Sequence, residues 1–134
     1  MVVLSPFQGI LRMVGIFALS RPDLRVARRR FHMEGLCDVH HVIPRCCAHH
    51  PTLHKVRFGV EDPANFVLMP TVAGAKYLRL RPDRLIHSHN HLGYNEFVWN
   101  ELDRVQDDEV EFVHLLVRLH RGMRWRDPSI PWKK

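Results

Sequence analysis

Two short runs, DVHHVIP and FVLMP, limit what this chain can build more than any other feature. The first is rich in Val and Ile and is stopped by Pro44, which has no N–H to give to a ladder. The second is equally short and follows a turn signal, EDPAN. They predict a small two-stranded element and nothing larger. Between them, HPTLHKVRFG reads as a short helix with Pro51 in its first turn and Gly59 at its end. The middle of the chain is therefore strand, excursion, strand, helix.

Helical periodicity accounts for most of the rest. Ile10, Leu11, Val14, Phe17 and Ala18 recur at helical spacing and predict a first helix over residues 7–19. A basic connector, RPDLRVARRR, carries the chain to about residue 35. Residues 71–86 read as irregular and basic. Ser88 or Asn90 is a candidate cap for a helix to about Arg104, with Tyr94, Phe97, Val98, Leu102 and Val105 on its apolar face. Asp107 would cap a last helix to about Arg121, with Val110, Val113, Leu116 and Val117 inward. The expected class is α+β, with N- and C-terminal helices packed around the two strands. We divide the chain into an N-terminal helix and basic connector (1–35), a central domain (36–122) and a tail (123–134).

At 134 residues, 46% of them hydrophobic, the chain has the composition of one globular domain and not of a disordered protein. Lys and Arg number 20 against 14 Asp and Glu, a formal charge of +6, and most of the basic residues are arginine. The guanidinium fork matches phosphate oxygens, so the balance favours a nucleic-acid partner. Arg45, Lys55, Arg57, Lys76, Arg79, Arg81 and Arg84 are the candidate phosphate contacts. The apolar stretch at the start is broken by Pro6, Gln8, Arg12 and Gly15, too short and interrupted for a membrane span and unlike a secretory signal. The three cysteines, Cys37, Cys46 and Cys47, are a poor disulfide framework and fit a reducing intracellular compartment.

The chemistry lies in the histidines. His87 and His91 are four apart, a spacing that on a helix puts both imidazoles on one face, close enough to share a metal. His40 and His41 are adjacent on the predicted first strand, where neighbouring side chains face opposite ways. One can meet a metal while the other serves a different partner. That division suits phosphodiester hydrolysis: three imidazoles hold a cation that stabilises charge at the phosphate, and a fourth takes the proton from an attacking water. Histidine fits the last role because its ordinary pKa, about 6.5, lies near working pH. Asn65 would either fix the tautomer of that base or brace the loop before the second strand.

The order HH, then N, then H-x3-H, over about fifty residues, resembles the ββα-metal, or HNH, endonucleases. Within them the pattern HHVIPR…HPTL…DPANFVLMP…IHS-x-x-H-x-x-YNEFV is similar to the AHH-type nucleases over about residues 36–105. Val39 stands where that branch carries the alanine of its name, and His89 is an addition that keeps the choice among His87, His89 and His91 open, with His87 and His91 preferred. The resemblance implies a ββα-metal (His-Me finger) core and a metal-dependent endonuclease, with DNA expected ahead of RNA. It implies His40, His87 and His91 as metal ligands, His41 as general base and Asn65 as the asparagine that orients the base or its loop. It also implies one divalent ion (zinc, nickel, manganese or magnesium), with a zinc-like ion favoured by imidazole ligands. Nucleic acid is the implied partner. Related modules often serve as bacterial toxins, which raises an inhibitory or assembly protein as a second one.

Two rival uses of the cluster CDVHHVIPRCCAHHP are weaker. A zinc knuckle of Cys37 and His40 with two of Cys46, Cys47, His49 and His50 would rest on vicinal ligands that converge poorly on one ion. A thiol nucleophile would need an orienting base that no spacing supplies. The alternative class is a non-enzymatic structural or nucleic-acid-packaging protein on the same HNH fold.

Overall fold

The computed structural model describes residues 4–82, 84–87 and 91–132. Among them six α-helices surround one antiparallel pair of strands: α1 (Pro6–Met13), α2 (Arg21–Arg30), β1 (Cys37–His41), α3 (Pro51–Lys55), β2 (Phe66–Pro70), α4 (Val72–Tyr77), α5 (Leu92–Val105) and α6 (Glu109–Trp125). β1 and β2 pair in the register Cys37–Pro70 through His41–Phe66. The chain is thus a small α+β protein, as its two proline-limited runs require.

The expected first helix and connector are in fact two helices. α1 opens on a capping box: the Ser5 hydroxyl accepts from Gln8 N–H, and the Gln8 side chain returns to the Ser5 backbone. It closes early because Gly15 takes a left-handed turn at φ 82, with Ile16 N–H bonding back to Leu11 O. Ser20 then caps α2, with Pro22 and Asp23 in the first turn and Arg28, Arg29 and Arg30 in the last. That charge order complements the helix dipole, so the arginine run is a helix and not a solvated connector. Only Leu24 of α2 is buried.

Other elements depart from the sequence reading for local reasons. α3 ends before Gly59, because Arg57 itself takes the left-handed position at φ 57. Residues 71–86 are not wholly irregular: Thr71 accepts from Gly74 N–H and starts α4. α4 lies so close to the loop before β1 that a Cβ on Gly74 would stand 1.8 Å from Leu36 O. α5 begins at Leu92 with His91 as its cap, so His87 precedes the helix and the two histidines do not share a helical face. The expected caps Ser88 and Asn90, and His89 between them, lie outside the described residues. Asp108, not Asp107, caps α6. Its buried face is Phe112, Leu115, Leu116, Leu119 and Met123; Val110 is exposed and Val113 and Val117 are only partly buried.

The core lies between α5, α6, α1 and the segment linking the strands. Tyr94, Val98 and Leu102 of α5 meet Phe112, Leu116 and Leu119 of α6 with Val42, Ile43 and Leu53. Phe7 of α1 sets its ring edge-on to Phe58 at 5.1 Å and Phe112 at 5.5 Å, which ties the N-terminal helix to this core. No helix among the described residues is long and apolar enough to cross a membrane.

Candidate active site

β1 delivers its two histidines to opposite faces. His40 turns with Asp38 toward the segment before α5, where its ring lies 5.2 Å from that of His87 and 6.1 Å from that of His91. His87 and His91 are 6.4 Å apart by ring centre. Burial, and then the neighbouring His87, His91 and His41, push the His40 pKa down to about 3. It therefore stays neutral, as an imidazole ligand must. Its Nε2 is buried and has no hydrogen-bond partner among the described residues.

The other two rings are held by their far nitrogens. His87 Nδ1 lies 3.1 Å from Asp38 Oδ2, and its backbone N–H bonds Pro70 O at 2.8 Å, at the end of β2. His91 Nδ1 lies 3.1 Å from Trp132 O. Carboxylate and carbonyl oxygens only accept, so in both rings Nδ1 carries a hydrogen, which in the neutral imidazole leaves the lone pair on Nε2. That is the outer arrangement characteristic of metal-ligating histidines. Trp132 also stacks on His91 at 4.0 Å and meets the His40 ring at 5.5 Å, walling the cluster on one side.

The donor set therefore fits a divalent ion: three imidazoles, two fixed by oxygen acceptors and one with a buried nitrogen that has no hydrogen-bond partner among the described residues. As the side chains stand, the rings are more widely spread than a closed site. Among the described residues no three His, Cys, Asp or Glu side chains meet the geometry of a bound ion, by this set or by the cysteine–histidine knuckle.

His41 faces the other way. Its ring packs edge-on against Phe66 at 4.9 Å, and its Nε2 lies 3.0 Å from Glu61 Oε1. Burial lowers the His41 pKa while the Glu61 hydrogen bond raises it, with a net fall below 6.5. Glu61 stays ionised, its own pKa lowered first by the same hydrogen bond. Accepting from Nε2–H, it leaves the lone pair on His41 Nδ1. Arg45 Nε lies 3.5 Å from Glu61, which places one of the expected basic residues beside His41.

Asn65 does not touch that ring among the described contacts. Its Oδ1 accepts from Ile43 N–H at 2.7 Å, and its Nδ2 donates to Ile43 O at 3.0 Å and Val60 O at 2.8 Å. Of the two roles open to it, the structure shows the brace. His50 is also a brace, capping α3 through Thr52 N–H and reaching Asp103 at 2.7 Å. Cys37 and Cys47 are buried, Cys46 is exposed, and all three are free thiols.

The remaining basic candidates are spread over several elements. Lys55 and Arg57 stand exposed at the end of α3, and Lys76 and Arg79 at the end of α4. Arg81 and Arg84 line a cleft with Arg124 and Arg126. Asp38, Glu61 and Trp132 escaped the sequence reading. Asp38 was findable, being two residues before His40 and so on its face; nothing in the spacing points to Trp132.

The two-stranded sheet thus carries paired histidines on opposite faces, with His87 tied to the end of β2 and His91 at the start of α5. The family model that matches residues 27–111 is AHH, a nuclease family of the HNH/ENDO VII superfamily with conserved AHH, and the chain belongs to that family. No curated protein and no solved structure matches the chain.

Proposed function

We propose that the chain is a metal-dependent endonuclease that hydrolyses phosphodiester bonds, of DNA ahead of RNA, on a ββα-metal core made of β1, β2 and α5. The observation that carries this reading is the convergence of His40, His87 and His91, with Nδ1 of the latter two tied to oxygen acceptors, on the face opposite His41. His40, His87 and His91 would hold the ion. When bound, a divalent cation supplies Lewis-acid stabilisation of the charge that builds on the scissile phosphate.

His41 is the general base, and its Nδ1 is the atom that takes the proton from water as the new oxygen–phosphorus bond forms and the bond to the leaving oxygen breaks. Glu61 is a positioning residue. It fixes the His41 tautomer through Nε2–H and offsets the positive charge the ring gains. Arg45 is placed to contact a phosphate beside it, and Asn65 holds the strand end that carries the base. The family's activity and the basic surface support nucleic acid as substrate.

Nicking of supercoiled plasmid in zinc, manganese, magnesium or nickel, with His41→Ala as control, tests the reading. Nicking by the unsubstituted protein that His41→Ala loses is the expected result. Binding without cleavage in all four metals would overturn it and return the packaging alternative.

A further inference from the structure

A second nucleic-acid contact stands at the C-terminal end of α6. Trp125 is 70% exposed, and the Arg124 guanidinium sits 5.4 Å over its ring. Arg126 follows in a left-handed conformation, φ 48, which turns the chain away and leaves the indole projecting. Arg84 reaches across from the loop after α4 and donates to Arg124 O, fixing that loop against the helix end. The result is a cleft lined by Leu80, Arg81, Arg84, Arg124, Trp125 and Arg126. No acidic residue lines it among the described residues, and nearby Asp127 is turned to Ser129 and Arg118. A neighbouring hollow continues past Arg84 and Trp125 to Val67, Leu68 and Met69, along β2. Val67 is the partner of His40 in the sheet, so the cleft and the histidines flank the same strand.

Arg84 and Arg124 stand close enough to repel, and the nearness of Arg124 lowers the pKa of Arg84 behind the effect of burial. A polyanion relieves that repulsion. The indole selects among polyanions: it offers a flat apolar face, which a run of carboxylates cannot use and a base can. In a duplex the base faces are already stacked, so the complementary ligand is a single strand, with a base on the ring and its phosphates on the arginines. We propose that Trp125, with Arg84, Arg124 and Arg126, binds a single-stranded segment of nucleic acid outside the histidine site. The choice of nucleic acid rests on the nuclease reading above.

The test is binding of a labelled single-stranded oligonucleotide, followed by anisotropy with chelator present so that nothing is cleaved. Trp125→Ala is expected to weaken binding at least about five-fold, and Trp125→Phe to recover most of it, because stacking needs a ring and not this ring. Arg124→Gln and Arg126→Gln should each flatten the salt dependence of log K by about 0.7. The indole is exposed, so thermal midpoints should match the unsubstituted protein. Unchanged single-strand affinity in Trp125→Ala would overturn the proposal. So would an equal dependence on Trp125 for poly-glutamate, which would make the cleft an acidic-protein site. Plasmid nicking by the unsubstituted protein is scored separately: its absence sinks the nuclease reading, whereas the cleft stands or falls on the anisotropy.

Discussion

Asn65 grips both polar backbone atoms of Ile43, accepting from its N–H at 2.7 Å and donating to its carbonyl at 3.0 Å. A third bond, to Val60 O, completes a fully buried amide that stands in for a missing rung of the sheet just past β1. Asn65→Ala leaves a buried N–H and a carbonyl without partners, so it is expected to destabilise the fold by about 2–4 kcal/mol. Urea denaturation measures this. A loss below 1 kcal/mol, on the order of a surface change, would show that the brace is dispensable.

Glu61 and His41 predict a pH signature. A base works only when unprotonated, and the His41 pKa lies below 6.5, so cleavage should fall on the acid side of that value. The Glu61 hydrogen bond raises that pKa. Glu61→Gln removes this support, so the acid limb should move to lower pH even as the rate falls. His41→Ala should lower cleavage by about 10²–10⁴-fold and abolish the limb. An acid limb that stays in place in Glu61→Gln would remove Glu61 from the mechanism.

Metal content distinguishes the ligands. His40→Ala, His87→Ala and His91→Ala should each lose bound ion on elemental analysis after purification without a metal column. Asp38→Asn should weaken it by about 10–100-fold, since Asp38 holds Nδ1 of His87. His89→Ala should retain the ion; its loss there would reassign the ligand set.

Stability should also fall in acid. His120 is buried, its Nε2 lies 2.6 Å from Ala64 O, and burial holds its pKa below 6.5. Below about pH 6.5 the unfolded chain takes up a proton that the folded one refuses, so folding weakens as pH falls toward the folded pKa. His40 and His41 act in the same direction, and for His40 the decline extends to about 3. Each contributes at most about 1.4 kcal/mol per pH unit. His120→Gln should make urea-derived stability against pH shallower; an unaltered slope would count against the assignment.

Both strands, α5 and the four histidines His40, His41, His87 and His91 are legible in the sequence because they rest on period, proline and order. α2 was hidden because its cap, Ser20, sits before a run of arginines that reads as solvated charge until its order along the helix dipole is considered. His87 stands before α5, so the four-residue spacing does not put it on one helical face with His91; the rings gather because the end of β2 holds His87. Trp132 was invisible for a different cause: a contact over 41 residues to His91 leaves no trace in local spacing. Glu61 was concealed inside a stretch that reads well enough as a turn.

The β1–β2 register has one further consequence. His40 and His41 are the same residue type, told apart only by parity, one facing His87 and His91 and the other Glu61. A single-residue insertion in the excursion from Pro44 to Asp62 has a loop to absorb it. The same insertion between Cys37 and His40 would shift β1 by one and exchange inside for outside. It would set the base where the ligand belongs without altering either imidazole. Mutational scanning should therefore find this strand tolerant of some substitutions yet closed to any change of length.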